Sequence, residues 1–195
     1  MLSIILPNHK EENVHAFIEE IQSILPVSEI IVSNDTESKG KGWAIREALS
    51  LATGDKIAFL DADGEIPARM LLRLLPFIDD FDIIAGSKRI GKSTIRRKVM
   101  TRLTRWWFKI LFGLKADSQT GIKLFRRSAL EALDWNWESN GWIFDCEILA
   151  RLHAKGFRII EVPIECDLKR QLAIKTIIKI FGESLWLKYR LMVRK

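Results

Sequence analysis

The alternation of apolar runs constrains this chain more than any other feature. Three short stretches rich in Ile and Val, at residues 2–6, 29–33 and 56–60, each end in turn-forming or acidic residues, as strands buried on both faces do. Between them, residues 12–25 space Val14, Phe17, Ile18 and Ile21 three and four apart, and residues 42–52 do so with Ile45, Ala48 and Leu49. Each of these segments is expected to be an amphipathic helix. Strands alternating with helices predict a parallel sheet in an α/β fold. Residues 67–78 read as a helix with Pro67 near its start, and 81–85 as a fourth strand closed by Gly86 and Ser87. The second half is less regular: helices over 95–112 and 143–155, strands over 121–125 and 158–162, and a last helix over 174–192. No repeat, linker or low-complexity stretch interrupts the 195 residues, and 48% of them are hydrophobic, so a single domain with one real core is expected.

Carboxylates cluster where those strands end. Residues 57–60 deliver Asp61-Ala62-Asp63 at the carboxyl end of a strand, the edge at which open α/β sheets bind ligands. Neighbouring side chains of an extended chain alternate in direction, so Asp61 and Asp63 reach one cation only if the chain turns there, and Gly64 permits the turn. Such a pair suits Mg²⁺ or Mn²⁺, with other positions left for diphosphate oxygens; a solvated acidic loop fits the same residues. Asp35 follows the second strand and Glu11 the first, so both belong to the same edge, as hydrogen-bond acceptors for a base or ribose or as turn formers. In Ser38-Lys39-Gly40-Lys41-Gly42, a flexible cationic loop opens a helix, where backbone amides and Lys41 would meet phosphates. It lacks Walker spacing. Asp145 and Glu147 stand at the start of a later helix. Either is a candidate general base for a hydroxyl acceptor, or simply a favourable charge at a helix N-terminus.

Charge narrows the partners. The net charge is +6, and from Gly86 to Lys115 ten basic residues occur with no acidic one, interleaved with Trp106, Trp107, Phe108, Leu111 and Phe112. A segment both cationic and oily suits an anionic membrane surface or a lipid phosphate better than nucleic acid, although a core-packed helix with a basic outer face has the same composition. The last helix repeats the character with Lys175, Lys179, Lys188 and Arg190 beside Ile178, Leu185 and Trp186. Cys146 and Cys166 lack metal-ligand spacing and read as reduced, buried thiols of a cytosolic protein. No uncharged apolar run reaches about 18 residues, so the chain is expected to lie on a membrane rather than cross it.

Taken in order, Pro7 with Glu11, the 29–32 strand leading to Asp35, Gly40-Lys41-Gly42, Gly54-Asp55, Asp61-Ala62-Asp63, Gly86-Ser87, Asp117 with Thr120-Gly121, Phe144-Asp145 with Glu147, and Glu161-Val162-Pro163 resemble glycosyltransferase family 2. The likeness is strongest to its dolichyl-phosphate (polyprenyl-phosphate) mannose synthase branch and spans about residues 3–175. It implies a GT-A fold, a Rossmann-like, mostly parallel sheet flanked by helices, with residues 1–90 binding the nucleotide-sugar. Residues 91–195 would then bind the acceptor and end in an interfacial helix. By the resemblance, Pro7, Glu11 and Asp35 line the nucleoside pocket, Asp61 and Asp63 hold the metal on the diphosphate with Glu65 as a third ligand, and Arg89, Arg97 and Thr101 meet the acceptor phosphate. The implied reaction is an inverting, metal-dependent hexose transfer, mannose from GDP-mannose favoured, to a polyprenyl or dolichyl phosphate on the cytoplasmic face of the membrane. Its rivals are a family 2 enzyme acting on a sugar hydroxyl, a nucleotidyltransferase, and a non-catalytic sugar-nucleotide-binding module. Oligomeric state is left open.

Overall fold

The computed structural model describes residues 1–8, 14–90, 95–116, 119–134, 137–141, 143–167 and 174–193, except for the side chains of 88–90, 95–98 and 174. In chain order the elements are β1 (Leu2–Asn8), α1 (Val14–Ile24), β2 (Glu29–Asn34), α2 (Lys41–Leu49), β3 (Lys56–Leu60), α3 (Leu71–Leu74), β4 (Ile83–Ile90), α4 (Ile95–Phe112), β5 (Ile122–Arg126), α5 (Arg127–Glu131), α6 (Phe144–Ala154), β6 (Ile159–Glu165) and α7 (Ile174–Val193). The six strands form one sheet in the order β2-β1-β3-β5-β4-β6. β1 runs parallel to β2 and β3, and β4 parallel to β6, whereas β5 is antiparallel to both of its neighbours. The sheet is therefore mostly parallel, with one reversed strand at its centre.

The period of two along each strand assigns side chains to two cores. Ile4, Leu6, Ala58, Leu60, Ile84 and Leu124 face one side, where Phe17 and Ile21 of α1 and Leu71 and Leu74 of α3 cover them. Ile5, Ile57, Phe59, Ile83 and Phe125 face the other, under α2, α6, Phe108 of α4 and Leu187 of α7. Burial on both faces is why these strands read as unbroken apolar runs rather than alternating ones.

Helix α5 is not among the expected elements, and two of the expected elements depart from the sequence reading. Residues 67–78 do not make one helix: a single α turn at 71–74 lies between 3₁₀ turns at Ala68–Met70 and Leu75–Phe77. Pro76 contributes to the second of these turns, because it has no N–H to donate to the preceding turn. Strand β4 does not close at Gly86 and Ser87 but runs through them to Ile90, pairing Gly86 with Val162 and Ser87 with Pro163. Gly86 marks a close approach: a Cβ there would stand 2.5 Å from Ile122 Cγ2.

Candidate active site

Because β1, β2 and β3 are parallel neighbours, their carboxyl ends open on one edge, with Asn8 beside Asn34 in register. The Asn8 side-chain amide donates to Asn34 Oδ1 at 2.8 Å, joining the two strand ends, and Pro7 is half-buried one residue earlier. Asp35 follows and is buried. Its two carboxylate oxygens accept the backbone N–H groups of Lys39 and Gly40, each at 2.7 Å.

This changes the expected role of the cationic loop. Gly42 N–H donates to Asn140 O at 2.9 Å, and those of Trp43 and Ala44 to Gly40 O. The amides of residues 39, 40 and 42–44 are thus satisfied within the protein rather than displayed to a phosphate. The loop is also packed, not loose, since a Cβ on Gly40 would meet Asn140 O at 2.4 Å and one on Gly42 would meet Ser139 O at 2.3 Å. What the loop presents is the side chain of Lys41, the first residue of α2.

Lys41 Nζ lies 2.8 Å from Asp61 Oδ1 and 3.0 Å from Asp145 Oδ2, while Lys123 Nζ lies 2.8 Å from Asp145 Oδ1 and also donates to Thr120 O. Four alternating charges run from the core to the crevice, and their side-chain exposure rises along that line: 1% at Lys123, 11% at Asp145, 23% at Lys41 and 33% at Asp61. Burial alone would raise the Asp145 carboxyl, but the two ammonium groups outweigh it and hold the carboxyl below its ordinary value. Burial alone would lower Lys41; Asp145 and Asp61 outweigh it and raise the ammonium. For Lys123 burial prevails and the ammonium is lowered.

Both candidate general bases are engaged within the protein. Asp145 is a buried counter-ion pinned between two lysines, a poor proton acceptor. Glu147 is buried as well, and its carboxylate accepts the backbone N–H groups of Glu138 and Ser139 and pairs with Arg151 at 3.4 Å. Lys123 escaped sequence reasoning. A lone lysine in a short apolar strand looks like an outward-facing residue, and its partner is 22 positions away.

Asp61 leaves β3 with its N–H donating to Gly121 O at 2.8 Å, and Gly121 packs directly on its side chain: a Cβ there would lie 2.2 Å from Asp61 Oδ2. Asp63 Oδ1 accepts Glu65 N–H at 3.0 Å across the turn that Gly64 makes at φ 69°. Among the described residues no three His, Cys, Asp or Glu side chains stand close enough to cage one metal ion, so Asp61, Asp63 and Glu65 are not a ready-made three-ligand site. Two part-exposed carboxylates at a strand end do fit a hard divalent cation of the Mg²⁺ or Mn²⁺ kind, which takes one or two carboxylates and completes its shell with water and substrate phosphate. Glu11 and Asp117 lie outside the described residues, as do the side chains of Arg89 and Arg97; Thr101 is half-buried on α4.

Helices α4 and α7 pack together, Trp107 Nε1 donating to Ser184 Oγ at 2.8 Å with the Trp107 and Phe181 rings 5.0 Å apart. Each leaves an apolar row outside: Val99, Leu103, Trp106 and Ile110 on α4, and Ile178, Leu185, Tyr189 and Met192 with Trp186 on α7. No helix among the described residues is long and apolar enough to cross a membrane. Cys146 and Cys166 are buried and not joined in a disulfide.

A Rossmann-like sheet with one reversed strand, and with Asp35 and Asp61 following the carboxyl ends of β2 and β3, is the GT-A architecture of nucleotide-sugar-dependent transferases. The chain belongs to glycosyl transferase family 2, whose model matches residues 4–133. Glycosyltransferase AglD of Haloferax volcanii is 27% identical across 93% of this chain, which spans 35% of that protein. The polyprenol monophosphomannose synthase of Mycolicibacterium smegmatis is 26% identical across 83% of this chain and 75% of its own length. Among solved structures, the glucosyl-3-phosphoglycerate synthase of Mycobacterium tuberculosis, in complex with Mn²⁺, uridine diphosphate and phosphoglyceric acid, superposes with a TM-score of 0.75 at 17% identity, over 96% of this chain and 76% of that one.

Proposed function

We propose that the chain transfers a hexose, mannose favoured, from a nucleotide-sugar, GDP-mannose favoured, to a polyprenyl or dolichyl phosphate, with inversion at the sugar carbon. The choice of acceptor rests on one observation: Asp145 and Glu147, the carboxylates a hydroxyl acceptor would call on as base, are committed to ion pairs and backbone N–H groups. A phosphate monoester is anionic at neutral pH and attacks without a base. Similarity to the mycobacterial polyprenol synthase supports the same acceptor.

In this reading Pro7, Asp35 and Glu11 border the nucleoside, and Asp61 and Asp63 hold Mg²⁺ or Mn²⁺ on the diphosphate. A cation there would stabilise the charge that develops on the departing nucleoside diphosphate. Lys41 adds a second positive charge beside the same oxygens. The acceptor phosphate oxygen forms its bond to the sugar carbon from the face opposite the breaking bond to the diphosphate. Arg89, Arg97 and Thr101 receive the acceptor phosphate. Residues 1–90 provide most of the donor site and 91–195 the acceptor side, although Lys123 and Asp145 of the second half complete the donor crevice. The basic α4 and α7, with their outward apolar rows, rest on an anionic membrane surface at its cytoplasmic face.

Radiolabelled donors tested in turn with polyprenyl phosphate and Mn²⁺ or Mg²⁺ check the reading. Label should pass into the lipid phosphate with one donor, and only with the metal present. Transfer to a free sugar hydroxyl in preference to the lipid would replace the acceptor, and no transfer from any donor would remove the reading.

A further inference from the structure

The line of charges Lys123–Asp145–Lys41–Asp61 does more than complete a crevice. Its inner pair is fixed: Lys123 is held in the sheet by Thr120 O and Asp145 Oδ1, and Asp145 spans the two lysines. Its outer member, Asp61, is one of the two residues assigned above to the divalent ion, and the Lys41 ammonium stands 2.8 Å from it. Lys41 sits between a buried anchor and an exposed metal ligand, on a long stem that can turn about Asp145.

We propose that Lys41 is a tethered cation that occupies Asp61 in place of the divalent ion until donor diphosphate arrives, so that metal and nucleotide bind cooperatively. The proposal rests on the assignment of Asp61 and Asp63 as metal ligands. A divalent ion approaching Asp61 alone meets a neighbouring ammonium that already neutralises that carboxylate, and must displace it against like-charge repulsion. Displacement is unfavourable while Lys41 has Asp145 as its remaining partner, because Asp145 is already neutralised by Lys123. A diphosphate changes this: its oxygens give Lys41 a new anionic partner close by, and Asp61 becomes available. Binding of either ligand then raises the affinity for the other by the same factor.

The test is calorimetric titration of Mn²⁺ into the full chain, with and without saturating guanosine or uridine diphosphate, for the unsubstituted protein and for Lys41→Met, which keeps the length of the stem and removes the charge. Removing the tethered cation should tighten Mn²⁺ binding in the absence of nucleotide about tenfold, and should lower the factor by which nucleoside diphosphate tightens Mn²⁺ by a similar amount. A lysine that merely braces the site would, when lost, weaken Mn²⁺ binding with and without nucleotide alike, and that pattern overturns the proposal. So does an unchanged Mn²⁺ affinity in a Lys41→Met chain that melts like its parent. If the unsubstituted protein takes up no Mn²⁺ even with nucleoside diphosphate, the metal assignment fails first and the tether with it, a distinguishable result. Should Lys41→Met not fold, ¹⁵N NMR of lysine ammonium groups in the unsubstituted chain decides: the clasped Lys41 signal should shift when Mg²⁺ and nucleoside diphosphate are added together and much less with Mg²⁺ alone. Equal shifts with Mg²⁺ alone would overturn it.

Discussion

The molecule uses positive charge in two places and in opposite ways. In the crevice, Lys123 and Lys41 are buried or half-buried, and each faces a named carboxylate within 3.0 Å, so charge serves there to fix positions. On α4 and α7, Arg102, Lys109, Lys175 and Lys179 are exposed beside exposed aromatic and aliphatic side chains, with Trp106 at 60% and Trp186 at 55% exposure, whereas Arg105 and Arg190 pair with Glu161 and Glu138. Charge of that kind is screened by salt and specifies a surface rather than a geometry. Substitutions in the first region should act on the chemistry and on the fold, and those in the second on where the protein sits.

The largest effect is expected at the exposed end of the crevice. Asp61→Asn keeps the shape and removes the proposed metal ligand and the partner of Lys41, and should lower turnover on the order of 10³-fold, about 4 kcal/mol of transition-state stabilisation. Steady-state kinetics with saturating Mn²⁺ check this, and near-normal turnover would detach Asp61 from the reaction. Gly121→Ala should follow. Its Cβ would fall 2.2 Å from Asp61 Oδ2, and the group that must yield is a movable side chain rather than backbone, so the displacement is spent on function. Turnover should fall about 10²-fold, as for an ångström-scale misplacement, while the melting temperature changes little. A large loss of stability with normal turnover would show that the backbone had moved instead.

Deeper along the same line, the expected effect passes from catalysis to stability. Lys123→Met strips the inner cation from Asp145 and leaves the carboxylate with Lys41 alone, which should cost about 3 kcal/mol in chemical denaturation. The pH dependence has a definite sign. The folded Asp145 carboxyl lies below its ordinary value, so its contribution is complete above the usual carboxylate range near pH 4 and is lost as pH falls through the folded value. Stability curves of the unsubstituted chain and of Asp145→Asn should differ fully above the usual carboxylate range and converge only as the pH falls through the lowered folded value. Parallel curves would mean that Asp145 is not the titrating counter-ion the geometry describes.

How much of this the sequence disclosed depended on range. The strands carrying Asp35 and Asp61 were legible because their signal is local: an apolar run, then an acid, then a turn residue. The pairing of Asp145 with Lys41 was not, because it joins positions 104 apart through the packing of α6 on α2, which no periodicity encodes. The glycines at 40 and 42 suggested freedom, whereas their meaning is contact with Ser139 and Asn140, again a long-range fact. Pro76 is a local signal for the 3₁₀ turn that ends residues 67–78, since it has no N–H to donate to the preceding turn. The outward rows of α4 and α7 lay between these extremes: helical spacing predicted an apolar face, but only the packing of Trp107 on Ser184 and Phe181 shows which face is covered.

The smallest effect belongs to that outer surface, and it discriminates best between the two uses of charge. Trp106→Ala and Trp186→Ala each remove an exposed ring that touches the Asp61 crevice nowhere in the described contacts, so nucleoside diphosphate affinity should stay within twofold of the parent, about 0.4 kcal/mol. Sedimentation with vesicles rich in anionic lipid should show binding weakened about tenfold by each, the loss of one buried aromatic side chain at the interface. Raising the salt from about 0.1 M to about 0.5 M should weaken vesicle binding of the parent in the same direction, because the exposed cations of α4 and α7 are screened. The same salt should leave the melting temperature nearly unchanged, because the buried Lys123–Asp145 pair is not. If salt and tryptophan loss left vesicle binding untouched but lowered transfer to polyprenyl phosphate, the outer rows would be a binding groove for the acceptor chain rather than a membrane contact, and the contrast between the two regions would collapse into one extended active site.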